Sequence, residues 1–228
     1  MSVDSQTYDK TVSLKAGEKI EPLDECGHVI IQHERMYRFG GDAVALFKFA
    51  RKHVRKDSAV FDLCSGCGVI GILLAIECGC RINGAEIDGE MCDMSMRSCV
   101  LNGIVGAEFY NADVRDADSV LPAARYDAVV CNPPFYKSDS RASKIAPAAN
   151  SELTVSLDDV IKASKRLLKV GGALFLVYTS TRMDEVFCAC ARYGLTPKEI
   201  TVNPNGKTFL LRAVRGGKQG MTVSVKEY

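Results

Sequence analysis

Asn132-Pro133-Pro134-Phe135 follows the apolar run Ala128-Val129-Val130-Cys131, and these residue types together could handle a flat ring carrying an amine. Two consecutive prolines fix φ and remove two backbone donors, and the residue before them is pushed towards an extended conformation. The outcome is a stiff, non-helical lip at a strand end that displays an amide side chain, a free carbonyl and an aromatic ring. Asn132 Oδ1 and the Pro133 carbonyl can accept from the two N–H bonds of an amine, while Phe135 stacks on the ring face. A plain Pro-Pro turn closing a strand would read the same way, so the surrounding residues must decide.

Upstream, Asp62-Leu63-Cys64-Ser65-Gly66-Cys67-Gly68-Val69-Ile70-Gly71 contains G-x-G-x-x-G at Gly66, Gly68 and Gly71. Glycines there let the backbone approach a ligand at a helix N-terminus. Glu86 stands 20 positions beyond Gly66, where a carboxylate would meet ribose hydroxyls. Both features suit a nicotinamide cofactor and S-adenosylmethionine equally. Asp62, four before the first glycine, tilts the choice to the latter, because an acidic residue there can face a cationic amino acid portion. The Asn132 lip tilts it further, since a nicotinamide enzyme has no use for it. Asp113 ends a third strand in Asn111-Ala112-Asp113-Val114; it either accepts from an adenine amino group or caps a loop. Cys64 and Val114, within the same two turns, join the expected cofactor-binding set.

These residues need a scaffold that brings strand ends together. Strands are expected at Ala59–Cys64, Arg81–Ile87, Ala107–Ala112, Tyr126–Cys131 and Ala173–Tyr178, and helices at Val69–Glu77, Glu90–Leu101 and Thr181–Tyr193. A further helix, capped by Ser156, is expected to stop at Gly171-Gly172. Strand-helix alternation of this kind builds a largely parallel sheet covered on both faces. Its carboxyl edge would hold Asp62, Glu86, Asp113 and Asn132, and open α/β sheets bind ligands at that edge. Glu199–Asn203 and Thr208–Arg215, joined by Pro204-Asn205-Gly206, form an antiparallel hairpin, and Thr222–Tyr228 offers an edge strand. The expected fold is therefore α/β and Rossmann-like, with a mostly parallel seven-stranded sheet ending in that hairpin. Residues 1–27 are expected to form an arm or short hairpin, and 28–228 the main domain. Between Arg38-Phe39-Gly40-Gly41 and the first strand, Asp42 is read as an N-cap. Ala43, Leu46, Phe47, Ala50 and Val54 then share one helical face, and Lys48, Arg51, Lys52, Arg55 and Lys56 another. That basic stripe either contacts nucleic-acid phosphates or is a solvated face. Residues 137–155 form a loop too long for a mere connection.

Composition narrows the setting. The chain of 228 residues is 47% hydrophobic and 25% charged, enough for one domain with a sizeable core. No apolar run approaches the roughly 20 residues of a membrane span, and the N-terminus lacks a signal pattern, so no membrane and a cytoplasmic setting are expected. Ten cysteines scattered through core segments, without zinc spacings and with three histidines in all, read as small reduced hydrophobes and imply no metal. Net charge is +1, so any nucleic-acid binding must come from local patches.

Together these motifs resemble the S-adenosylmethionine-dependent amino-methyltransferases with an [Asn/Asp]-Pro-Pro-[Tyr/Phe] signature, which act on DNA, RNA or release factors. Within that group Tyr37-Arg38-Phe39-Gly40-Gly41-Asp42-Ala43-Val44 is similar to the R-F-x-x-D-[AS]-V of the tRNA1(Val) adenine-N6 methyltransferase family. Ala149-Asn150-Ser151-Glu152 departs from an Arg-His-Glu-like run often found there. The resemblance implies a class I methyltransferase that uses S-adenosyl-L-methionine to methylate N6 of an anticodon-loop adenine in tRNA. It also implies that Tyr37 and Asp42 close over the cofactor. Catalysis would fall to Asn132, Pro133 and Phe135. Pro134, Tyr136, Lys137, Arg141 and Lys144 would hold the substrate, although Tyr136 also suits core packing. A monomer or weak homodimer is expected. The other acceptors are a protein glutamine amide, which would favour a helical recognition domain before Ala59, and DNA, which would favour an inserted recognition segment. A protein that holds the cofactor without catalysis is a further reading, against which the intact Asn132 lip argues.

Overall fold

The computed structural model describes residues 12–116, 121–134 and 155–226. Each apolar run that ends in a glycine or polar turn becomes a strand: β3 (Ala59–Leu63), β4 (Arg81–Glu86), β5 (Glu108–Asn111), β6 (Tyr126–Cys131), β7 (Leu168–Thr179), β8 (Leu195–Val202), β9 (Thr208–Arg215) and β10 (Thr222–Val225). They make one sheet in the order β10-β8-β9-β7-β6-β3-β4-β5, so the edge strand raises the expected seven strands to eight. Pairing is parallel from β5 through β7; β9 runs against its neighbours β7 and β8, and β10 is parallel to β8. From β3 the chain builds outwards through β4 and β5, then returns to add β6 on the other side. The order therefore reverses between β3 and β6, and ligands of open sheets bind at that point.

Helices α1 (Gly41–Ala50), α2 (Val69–Cys78) and α3 (Gly89–Leu101) cover one face, and α4 (Leu157–Leu167) and α5 (Met183–Tyr193) the other. Alternation along β7 supplies both cores: Phe175 and Val177 join the cluster under α1 and α2, while Leu174, Leu176 and Tyr178 face α4 and α5. Ser156 caps α4 with a reciprocal Ser156–Asp159 box, the kind of cap that contributes about 1 kcal/mol. That helix stops at Leu167, four residues short of the expected Gly171-Gly172. Leu168 already pairs with Tyr126, and the two glycines sit where the β6–β7 register shifts before Ala128 meets Ala173. Strand pairing claims the residues before the glycines are reached.

Two corrections concern α1. Its N-cap is Gly40, not Asp42, which lies in the first turn and makes no capping hydrogen bond. The helix also ends at Ala50, so Arg51–Lys56 form a turn leading to the start of β3. The basic stripe is thereby broken, and most of it sits at the sheet edge opposite the carboxyl ends. Arg51 there pairs with Glu77 at 2.6 Å.

Before the sheet, β1 (Glu18–Pro22) and β2 (Val29–His33) form an antiparallel hairpin, and the division expected at 27/28 falls in its loop. The hairpin docks on α3. Val29 N–H donates to Asn102 Oδ1 at 3.0 Å, Ile31 N–H to Ser98 Oγ at 2.9 Å, and Arg97 pairs with Glu18, whose side chain is 4% exposed.

Candidate active site

At the reversal point, the ends of β3, β4, β5 and β6 open onto one cavity of about 310 Å³. A pocket of that size suits a small-molecule ligand. The cavity collects Tyr37, Asp42, Cys64, Gly66, Glu86, Asp113, Val114, Asn132, Pro133 and Pro134, all chosen from sequence. Phe135, Tyr136, Lys137, Arg141 and Lys144 lie outside the described residues. Asp62 and Gly68, also chosen, are not among the lining residues.

The turn after β3 shows why its sequence is glycine-rich. Cys64, Gly66 and Gly68 adopt φ of 57°, 56° and 79°, a left-handed conformation that side chains other than glycine disfavour. A Cβ on Gly66 would point across the cavity towards Tyr37, whose Cδ1 would lie 4.0 Å away. On Gly68 it would collide with Ser95 Oγ at 2.9 Å and Phe109 Cζ at 3.1 Å. Gly68 thus serves packing against α3 and β5, while Gly66 leaves room in the cavity.

Asp62 lies under this turn, 1% exposed. Its Oδ2 accepts from Gly71 N–H at 2.9 Å and its Oδ1 has no partner. Burial, with Glu86 nearby adding repulsion, pushes its carboxyl up to about 8. Rather than projecting into the cavity, it braces the glycine turn from below. Gly71 completes that fit, since a Cβ there would sit 3.2 Å from Asp62 Oδ2.

Glu86 is anchored by three backbone donors. Its Oε2 accepts from Gly66 N–H at 2.8 Å, and its Oε1 from Ile87 N–H at 2.8 Å and Asp88 N–H at 3.2 Å. A carboxylate offers about four acceptor positions, which leaves one open on Oε2. Burial raises its pKa against those three donors. Asp113 lines the cavity while Arg115 grips its carboxylate, with Nε 3.0 and 2.9 Å from the two oxygens, and this pairing lowers its pKa. Asp42 accepts from the Thr208 hydroxyl at 3.4 Å, and burial raises its pKa.

Asn132 is half-buried and Pro133 buried. Among the described residues no hydrogen bond engages the Asn132 amide. Arg38, the cationic side chain in the wall, is paired with Glu21 at 2.5 Å. Two carboxylates without a cationic partner, Asp42 and Glu86, therefore face a cavity with no free cation among the described residues, while Asp113 is matched by Arg115; that charge balance favours a positively charged ligand.

Sequence reasoning passed over Ile87, Phe39 and Met91, which also line the cavity. Ile87 is 52% exposed. Its signal was an apolar residue directly after an acidic strand end, where a turn would ordinarily be polar. Among the described residues no group of three or more His, Cys, Asp or Glu is arranged to hold a metal ion, all ten cysteines are free, and no helix is long and apolar enough to cross a membrane.

Comparison with known proteins points the same way. The profile of the methyltransferase small domain family matches residues 43–189. A tRNA1(Val) (adenine(37)-N6)-methyltransferase of Aeromonas hydrophila is 28% identical over 173 residues, covering 72% of this chain and 70% of that protein. One of the same name from Porphyromonas gingivalis is 26% identical over 175 residues, covering 72% and 67%. Among solved structures, a predicted O-methyltransferase of Agrobacterium tumefaciens superposes with a TM-score of 0.62 at 21% identity, over 80% of this chain and 86% of that one. That likeness concerns the fold.

Proposed function

The chain belongs to the methyltransferase small domain family, and from that premise we propose that it methylates the exocyclic N6 of an adenine in tRNA, using S-adenosylmethionine. Its relatives' names point to adenine 37 of tRNA1(Val) as the target. The observation that carries the reading is the position of Asn132 and Pro133. They stand at the carboxyl end of a central strand and share one cavity with the glycine turn and Glu86.

The cavity suits the cofactor on its own chemistry. S-adenosylmethionine is a cation that supplies an electrophilic methyl on a sulfonium, and the wall is net acidic. Glu86 keeps an acceptor position for ribose hydroxyls, Gly66 leaves the space a side chain would fill, and Ile87 and Val114 offer apolar surface for a base. Asp113 and Tyr37 complete that set, with Asp62 and Gly68 maintaining the turn.

An exocyclic aromatic amine is a poor nucleophile because its lone pair is delocalised into the ring. Asn132 Oδ1 and the Pro133 carbonyl, accepting one N–H each, favour a pyramidal nitrogen and localise that pair. The prolines hold both acceptors in place before substrate arrives, so much of the gain is positioning. No strong base is needed, since the amine proton becomes acidic only as the new bond forms. Phe135 has the ring to stack on the extruded base, and Pro134 and the following basic residues Lys137, Arg141 and Lys144 the chemistry to flank it.

The direct test incubates the protein with methyl-labelled cofactor and, separately, bulk tRNA, duplex DNA and a release factor, followed by nucleoside and peptide analysis. N6-methyladenosine in tRNA is expected. Label in the release factor alone would overturn the acceptor, and label in DNA alone would move it to a different nucleic acid.

A further inference from the structure

The β8–β9 hairpin contributes no lining residue to the cavity, yet its turn stands beside the lip. Thr179, at the end of β7, pairs with Thr208 at the start of β9, whereas Cys131 at the end of β6 is level with Leu176. Strands β7 and β9 therefore run three residues past the end of β6 and form a wall along one side of the lip. The turn between β8 and β9, Asn203–Lys207, crowns that wall. It is braced throughout: Gly206 N–H donates to Asn203 O at 2.8 Å, Asn205 N–H to Asn203 Oδ1 at 3.1 Å, and Lys207 N–H to Asn205 Oδ1 at 2.9 Å. Ser180 N–H donates to Lys207 O at 3.0 Å, and the neighbouring Thr208 hydroxyl reaches Asp42 in the cavity wall. Lys207 is thus carried on a pinned turn, one residue from a cavity contact, with its side chain exposed.

Charge divides this edge in two. Over β4 and β5 stand Glu86, Asp88, Glu90, Asp113 and Asp116, with Arg115 neutralised on Asp113. Over the hairpin side, Arg182 and Glu185 neutralise each other at the start of α5, and Asp184 sits beside them on that helix. Lys207 and, at the end of β10, Lys226 are exposed and have no carboxylate partner among the described residues. By strand spacing, Lys207 lies two strands from β6, about 10 Å across the sheet, and Lys226 four strands away, about 19 Å. The basic stripe near α1 is at the far edge and cannot serve the lip.

We propose that the Asn203–Lys207 turn is a tRNA-docking element, with the Lys207 ammonium on a phosphate next to the target nucleotide and Lys226 on one further out. The tRNA backbone then leaves the lip across the hairpin, away from the acidic half over the cofactor. This rests on the tRNA reading above and adds the surface and direction of binding. Phosphate contacts position an RNA and make its binding salt-dependent, so the test is kinetic and ionic together. Lys207→Ala should raise the KM for tRNA about tenfold and reduce the slope of log affinity against log salt by about 0.7–0.9 per lost contact. Its kcat and its cofactor affinity, measured by calorimetry, should stay at wild-type values. Lys207→Arg should restore the KM, Lys226→Ala should show a smaller rise, and the distant Lys52→Ala/Arg55→Ala pair should show none. An unchanged KM and salt slope in Lys207→Ala, with wild type active on tRNA, would overturn the docking element while leaving the enzyme's acceptor intact. If wild type instead methylates no tRNA at all, the acceptor reading and the docking element fall together.

Discussion

A side-chain amide such as that of Asn132 can accept from an amine without being able to take a proton from it, and that property is what the proposed reaction demands. Asn132→Ala should lower kcat by roughly 10²–10³, the range seen when one preorganised polar partner is removed from a reacting centre. Cofactor affinity should remain within a few-fold of wild type. Single-turnover rates and calorimetry check the pair of outcomes, and a variant that binds cofactor and turns over normally would remove Asn132 from the mechanism. Asp62 tests a different residue-scale claim, that it braces the turn as a buried acid. Its ordinary pKa of 3.8 rises to about 8 in the fold, so between about pH 4 and pH 8 the native state holds a proton that the unfolded chain releases. Stability of the cofactor-free protein should therefore fall as pH rises through that window, with a slope approaching about 1.4 kcal/mol per pH unit. Asp62→Asn keeps an oxygen for Gly71 N–H and should flatten the dependence. Denaturant titrations at several pH values read it directly, and an equally steep variant would show that another group titrates.

Among the elements, the glycine turn is the one whose geometry the sequence motif specifies most fully. Gly68 is left-handed and pressed between Ser95 and Phe109, so Gly68→Ala combines backbone strain with overpacking. A loss of about 1–3 kcal/mol is expected by urea unfolding, together with weaker cofactor binding as the turn shifts; a fully stable variant would mean that α3 can move aside. Helix ends were less legible. Apolar spacing identified the buried face of α1, including Ala43, Leu46 and Phe47, but it carried the helix six residues too far. Val54 is buried as expected, yet it reaches the core from a turn, so burial and helix had to be separated by structure. The Gly171-Gly172 stop failed for a related reason: pairing between Leu168 and Tyr126 decides where α4 ends, and that partner is 42 residues away.

Over the whole molecule, the N-terminal hairpin is tied to the cavity through the chain it leads into, since Tyr37 and Phe39 follow β2 directly. Its main anchor is the Arg97 guanidinium, which also reaches Asp93. Arg97→Ala would strip Glu18 of its guanidinium partner and leave it the Lys15 N–H at 2.7 Å, a change expected to cost about 1–3 kcal/mol. The expected result is a lower melting temperature accompanied by weaker cofactor binding, because the wall carrying Tyr37 loosens. Loss of stability with cofactor affinity untouched would show that the hairpin supports the sheet alone.

Strand-helix alternation, the glycine turn, the acidic strand ends and the Asn-Pro-Pro lip were all readable from residue order. Each depends on contacts within a few positions or on a period of two or 3.6, and four strand ends at one edge follow from parallel alternation alone. The tertiary structure had to decide what depends on distant partners. It placed Asp62 beneath the turn instead of in the cavity, joined Asp42 to the Thr208 hydroxyl, and separated the stripe after α1 from the lip by the height of the sheet. The same packing set Lys207 beside the site from more than seventy residues downstream of Asn132. Local sequence says which backbone a segment prefers; which charges end up facing one another is settled only when the strands are laid side by side.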